Sequence, residues 1–80
     1  MDLKAGYVIY DLKERSIGIL IRRFKTYEDG VGKSYSVRAP EFFRIWVWDI
    51  LWSKSGRNLY SEEGLHNLIR EGVVIIIDDT

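Results

Sequence analysis

The chain contains no cysteine, one proline (Pro40), one histidine (His66) and one methionine, and its 12 Lys and Arg are matched by 12 Asp and Glu over 80 residues. Each scarcity excludes something. Without cysteine there is no disulfide framework and no thiolate for metal binding or nucleophilic attack, which fits a reducing cytosol. A lone histidine on a polar helical stretch, with no Cys, Ser or Asp partner near it in sequence and no metal-ligand spacing, gives no basis for catalysis. The chain is therefore expected to be non-enzymatic and to need no cofactor. No apolar run approaches the ~20 residues of a membrane-spanning helix, and the start Met-Asp-Leu-Lys-Ala-Gly does not read as a signal peptide, so a soluble cytoplasmic protein without a membrane partner is expected.

Zero net charge removes the polycation that non-specific nucleic-acid binding usually needs, but the charge is uneven. Residues 1–60 hold eleven Lys or Arg against seven Asp or Glu, a balance of +4, and residues 61–80 hold one against five, a balance of −4. A dipole of this kind can steer a partner or favour self-association.

What the chain has in abundance is aromatic residues, and they are concentrated. Phe42 to Trp52 reads Phe-Phe-Arg-Ile-Trp-Val-Trp-Asp-Ile-Leu-Trp, holding all three tryptophans and two of three phenylalanines. Aromatic and β-branched residues favour a pleated, half-buried surface, so this is the central strand. Alternation puts Phe42, Arg44, Trp46, Trp48, Ile50 and Trp52 on one face and Phe43, Ile45, Val47, Asp49 and Leu51 on the other. Both faces are mostly apolar. A flat sheet would leave one of them wet, which predicts a coiled strand whose halves turn different faces to one core, as in a small barrel.

The rest of the chain supplies what surrounds that strand. Gly6-Tyr7-Val8-Ile9-Tyr10 predicts a first strand and 11–15 its turn. Ser16 to Phe24 predicts a second strand, with Ile17, Ile19 and Ile21 sharing a face and Gly18 marking a bulge, a bend or a close backbone approach. Residues 25–40 lack periodicity and read as a long functional or disordered loop, ended by Pro40 at the start of the central strand. Ser53 to Gly56 is a turn cluster, and Arg57 to Tyr60 the returning arm of a hairpin. Ser61 before Glu62 and Glu63 is an N-cap followed by first-turn acids, Leu65, Leu68 and Ile69 keep helical spacing, and Gly72 is the stop. Val73 to Ile77 is a final buried strand.

This order resembles the SH3-like small barrel. The residues carrying the likeness are Gly6-Tyr7-Val8, Ser16-Ile17-Gly18-Ile19-Leu20, the hairpin from Ile50 through Gly56 to Tyr60, and Leu65 to Ile77. The expected fold is thus a mainly all-β, five-stranded barrel with one short helix before the last strand, as a single domain spanning 1–80. The pattern looks most like small one-domain proteins encoded by tailed phages, which implies a place in the host cytoplasm or the virion. Two departures bear on function. Signalling domains of this fold that bind polyproline peptides carry a long acidic loop between strands one and two, where this chain has only 11–15. Ribosome- and polymerase-associated relatives show a basic, Gly-punctuated first hairpin, of which Gly18 alone is recognisable.

Two surfaces can be proposed from the residues. Three Trp, three Phe and five Tyr are together more aromatic surface than one short barrel is expected to bury, and contiguous aromatic surface marks an interface, so Trp46, Trp48, Trp52, Tyr27 and Tyr35 are the candidate interface and a protein partner or homo-oligomer is the favoured expectation. Arg22, Arg23, Lys25, Lys33 and Arg44, interleaved with aromatics, are the alternative, a single-strand nucleic-acid surface on which bases stack. Gly32-Lys33-Ser34 matches only the tail of a phosphate loop. Tyr27 stands where that motif needs its first glycine, and the segment leads to a strand rather than a helix. Asp49 is expected to point outward at a bend or to pair with Arg22, Arg23 or Arg57.

Overall fold

A computed structural model describes residues 2–27 and 44–79, with the backbone alone at Thr26, Tyr27 and Arg44. Five strands, β1 (Val8–Asp11), β2 (Ser16–Tyr27), β3 (Arg44–Trp52), β4 (Gly56–Ser61) and β5 (Val74–Asp78), and one helix, α1 (Glu62–Arg70), follow in the order β1-β2-β3-β4-α1-β5. The strands form one antiparallel sheet in the order β4-β3-β2-β1-β5. Among the described residues β4 and β5 are the two ends of that sheet and are not paired, so the sheet is not closed.

Most elements lie where the sequence puts them, with boundaries moved. The first strand begins at Val8 rather than Gly6. The second runs on to Tyr27, so residues 25–27 of the expected long loop are strand, held by pairing with Trp46, Ile45 and Arg44 of β3. The remainder of that loop, with Lys33 and Tyr35, and the first two residues of the expected central strand lie outside the described residues.

The helix is fixed at both ends by its own sequence. Ser61 Oγ accepts from the Gly64 N–H at 3.0 Å, an N-cap that satisfies one of the helix's open donors. At the other end Gly72 adopts φ +82°, the Val73 N–H reaches Leu68 O at 2.9 Å and the Gly72 N–H reaches Ile69 O at 3.1 Å. This is a Schellman closure, and glycine takes its left-handed residue without a Cβ penalty.

One face of the sheet makes the core. Ile9, Leu20, Trp48, Ile50, Trp52 and Val74 are buried there with Leu3 and with Leu65 of α1, while Leu68 and Ile69 pack on the rim. Fully burying a large apolar side chain contributes roughly 1.5–3 kcal/mol, so this cluster is the main source of stability. The core cluster takes Trp48, Ile50 and Trp52 from one face of β3, while Val47 and Asp49 on the alternate face are also buried, at 5 % and 4 % exposed. Gly18 marks a close approach. A Cβ there would lie 2.7 Å from Trp52 Cε3 and 3.1 Å from Ile50 Cγ2. The bulge falls further on, between Leu20 and Arg22, where Ile21 is the extra residue.

Candidate functional site

The bulge at Ile21 decides where the basic residues of β2 point. After it, Arg22 stands opposite Asp49 on the outer face, whereas Arg23 and Lys25 stand opposite Trp48 and Trp46 on the other. The basic residues named from the sequence are therefore divided between two faces. Lys33 lies outside the described residues, and Arg44 is described only by its register opposite Tyr27.

On the helix side, Glu62 organises the local chemistry. Its carboxylate accepts from Arg23 Nε at 2.6 Å and Nη2 at 3.0 Å, and from the Trp48 indole Nε1 at 3.0 Å. The hydrogen bond from Arg23 holds Glu62 below the usual carboxylate range; burial opposes this shift and the bond from Trp48 adds to it. The Arg23 guanidinium also lies over the Trp46 ring, 3.8 Å from its centroid, and Lys25 Nζ lies 5.2 Å from the same ring. Beside them an open cleft of about 410 Å³ is lined by Ile45, Trp46, Glu62, Glu63, His66 and Arg70. His66 thus stands one helical turn beyond Glu62. Among the described residues no group of three His, Cys, Asp or Glu could hold a metal ion.

The three tryptophans have different positions. Trp48 and Trp52 are 1 % and 4 % exposed and belong to the core, so a partner approaching the surface does not reach them. Trp46, at 39 %, is the one left in view. Tyr27 is described by backbone alone, and Tyr35 is outside the described residues. The sequence marks Glu62 only as a first-turn acid. Its pairing with Arg23, 39 residues earlier, leaves no local signal.

On the outer face, Asp49 is buried, its side chain 5 % exposed, and it is held by two arginines from neighbouring strands. Arg57 donates to it through Nε at 3.3 Å and also through Nη2, and Arg22 Nε lies 3.6 Å away. The Arg57 hydrogen bond is the main cause of an Asp49 carboxyl held below its ordinary range, against the opposing effect of burial. Arg22 also lies over the Phe24 ring at 4.4 Å. Of the expected alternatives for Asp49, pairing with Arg22 and Arg57 is what the structure shows.

The apolar residues around this pair carry the larger signal. Ile75–Tyr10–Ile17 and Val8–Ile19–Leu51 are rows of directly opposed residues, and Leu59 stands opposite Asp49. Ile17, Ile19, Ile21, Leu51, Leu59, Ile75 and Ile77 are all between 36 % and 61 % exposed. The isoleucine alternation of β2, legible in the sequence, faces solvent, while Ser16, Gly18 and Leu20 face inward. Among the described residues, no helix is long and apolar enough to cross a membrane. Comparison with protein-family models, curated proteins and solved structures finds no match to this chain.

Proposed function

We propose that the protein is a non-enzymatic interaction or assembly module of SH3-like barrel type that binds protein through the outer face of its sheet. The strand order β5-β1-β2-β3-β4, with a short helix just before β5, supports the fold assignment. One observation carries the function: seven large aliphatic side chains spread over β2, β3, β4 and β5 are left exposed on a single face. They present on the order of 600 Å² of apolar surface, at the top of the roughly 300–600 Å² found for the largest patch of an ordinary monomer. A role within a phage particle or its host's cytoplasm is the setting that the sequence resemblance suggests.

The test is a paired substitution, Ile19→Lys with Leu51→Lys, which puts two charges in the middle of the face. In the parent protein the face either binds an apolar fluorescent dye or is covered in an assembly. The variant, with an unchanged far-ultraviolet circular dichroism spectrum, loses whichever of the two is present. A parent that neither binds dye nor assembles would overturn the reading.

Nucleic-acid binding is the second reading, supported by Trp46 at 39 % exposure with Lys25 beside it. It is weaker because the Arg23 charge is matched by Glu62 and Arg22 lies on the other face. Binding there would weaken steeply with salt.

A further inference from the structure

We propose that the cleft between the two hairpin turns binds a primary ammonium whose neighbouring carbon bears a carbonyl or carboxylate, the group shared by a free amino acid and the first residue of a peptide chain.

The β1–β2 and β3–β4 turns lie at one end of the sheet, tied together by the Ser53 N–H on Ile17 O at 2.7 Å and the Lys54 N–H on Ser16 Oγ at 3.2 Å. An open cleft of about 260 Å³ there is lined by Asp11, Glu14, Trp52, Lys54 and Tyr60. Its volume falls just below the roughly 300–1,000 Å³ of clefts that take drug-sized ligands, which suits a smaller molecule or one end of a chain. The cleft is on the inner side of the sheet. Asp11 takes the inward position after the buried Ile9 on β1, and Trp52 the one after Ile50 on β3. The exposed isoleucines lie on the other side, so this site stands or falls separately from the docking face.

The first observation is Trp52. It is 4 % exposed, and its Nε1 meets no acceptor. The other core indole, Trp48, has Glu62. The Cε3 and Cζ3 edge of the Trp52 ring rests over Gly18, so the edge that carries Nε1 is the one away from β2. Buried N–H groups are almost always paired, and an acceptor entering the cleft that this indole lines would pair it.

The second observation is Asp11, 7 % exposed. Its Oδ1 closes the turn by accepting the N–H of Lys13 at 2.9 Å and of Glu14 at 3.0 Å. Among the described residues no cation pairs with this carboxylate. A carboxylate so buried is ordinarily paired, and Oδ2 remains for a ligand. Burial, and then the charges of Asp11 and Glu14, push the Tyr60 phenol up, so both carboxylates act on one side of the cleft. Lys54 Nζ reaches the Glu14 carbonyl at 3.4 Å rather than either carboxylate.

A simple cation would satisfy Asp11 but offer nothing to the indole, and a simple anion would be repelled by Asp11. An ammonium on Asp11 with its own carbonyl oxygen on Trp52 Nε1 meets both needs. Trp52 and Tyr60, with ring centroids 5.8 Å apart, give its aliphatic part an apolar wall. A carboxylate in place of the carbonyl turns toward Lys54. Water is the competing occupant.

The experiment is a titration of the ¹⁵N-labelled chain, read at its three indole N–H resonances. Trp46→Phe and Glu62→Gln identify those of Trp46 and Trp48 and leave that of Trp52. The probes are alaninamide, alanine and N-acetylalaninamide, the last lacking the ammonium. Alaninamide or alanine is expected to move the Trp52 resonance saturably without moving that of Trp46, and N-acetylalaninamide to bind about tenfold more weakly. Tighter binding of alaninamide supports the first residue of a peptide chain as the source, and tighter binding of alanine a free amino acid held also by Lys54. Asp11→Asn keeps an oxygen for the turn and is expected to weaken binding about tenfold, and the exposed Glu14→Gln about threefold. A Trp52 resonance that no probe moves makes water the acceptor and overturns the site. So does N-acetylalaninamide binding as tightly as alaninamide, or unchanged affinity in both variants.

Discussion

Trp48 Nε1 donates to Glu62 Oε1 at 3.0 Å, so the buried centre of β3 is tied to the first turn of α1 by the carboxylate that also holds Arg23 of β2. Three elements distant in sequence share one acceptor. The indole N–H lies in a core residue 1 % exposed, and losing its acceptor leaves a buried donor unsatisfied. Glu62→Ala is therefore expected to cost about 1–3 kcal/mol, read as a lower urea midpoint. Glu62→Gln retains an acceptor for the indole and should cost less. Equal losses for the two variants would assign the cost to the Arg23 ion pair rather than to the indole.

The same carboxylate and Asp49 predict an acid-sensitive fold. Arg23 depresses Glu62, and Arg57 depresses Asp49, so each folded pKa lies below its unfolded value. A depressed carboxyl contributes stability that is complete above the unfolded pKa and is lost as pH falls through the folded one. The urea midpoint should accordingly be flat near neutrality and fall progressively below the ordinary carboxylate range. Glu62→Gln should flatten that fall. An identical pH profile in the variant would show that Glu62 contributes nothing to it.

Gly18→Ala tests the packing of β2 on the core. The added Cβ would meet Trp52 Cε3 at 2.7 Å and Cζ3 at 2.8 Å, closer than carbon atoms approach without displacement. Trp52 is buried between Ile50, Tyr60 and the strand, and its ring has little room to move. Overpacking of this kind costs about 1–3 kcal/mol. The expected result is a lowered melting temperature with a changed near-ultraviolet spectrum from Trp52. A variant as stable as the parent would mean that the indole repacks freely.

These residues also show what could be read from the chain before its structure. The helix was legible in detail because Ser61, the first-turn acids, the 3–4 spacing of Leu65, Leu68 and Ile69, and Gly72 are local signals of local geometry. Strand identity was legible for the same reason, since alternation is a short-range property. Which face of β3 goes inward was not, because Trp48 and Leu51 differ little in hydrophobicity and the choice rests on α1 packing against one side. The site was legible only in pieces. Arg22 and Arg23 are neighbours in sequence yet pair with Asp49 and Glu62 on opposite faces, and the bulge that fixes this is set by pairing with β3. The isoleucine alternation of β2 was visible, but whether it faced core or solvent depended on its register with β1 and β3.

The three tryptophans give a direct optical test of this arrangement. Trp48 and Trp52 are core residues, whereas Trp46 is 39 % exposed and flanked by Arg23 and Lys25. Iodide is excluded from the core and drawn toward those two cations, so it should quench one accessible component of the emission and leave the rest untouched. Trp46→Phe should remove the quenchable component and nothing else. If quenching persists in that variant, Trp48 or Trp52 is reached by solvent and their burial in the core is wrong. If the parent is not quenched at all, Trp46 is covered in solution. Repeating the titration with single-stranded oligonucleotide in place of iodide then separates the two functional readings. Salt-sensitive quenching lost in Trp46→Phe would place bases on that ring beside Lys25, where stacking contributes about 1–3 kcal/mol per base. An unchanged spectrum would count against the nucleic-acid reading and leave the proposal for the outer isoleucine face standing.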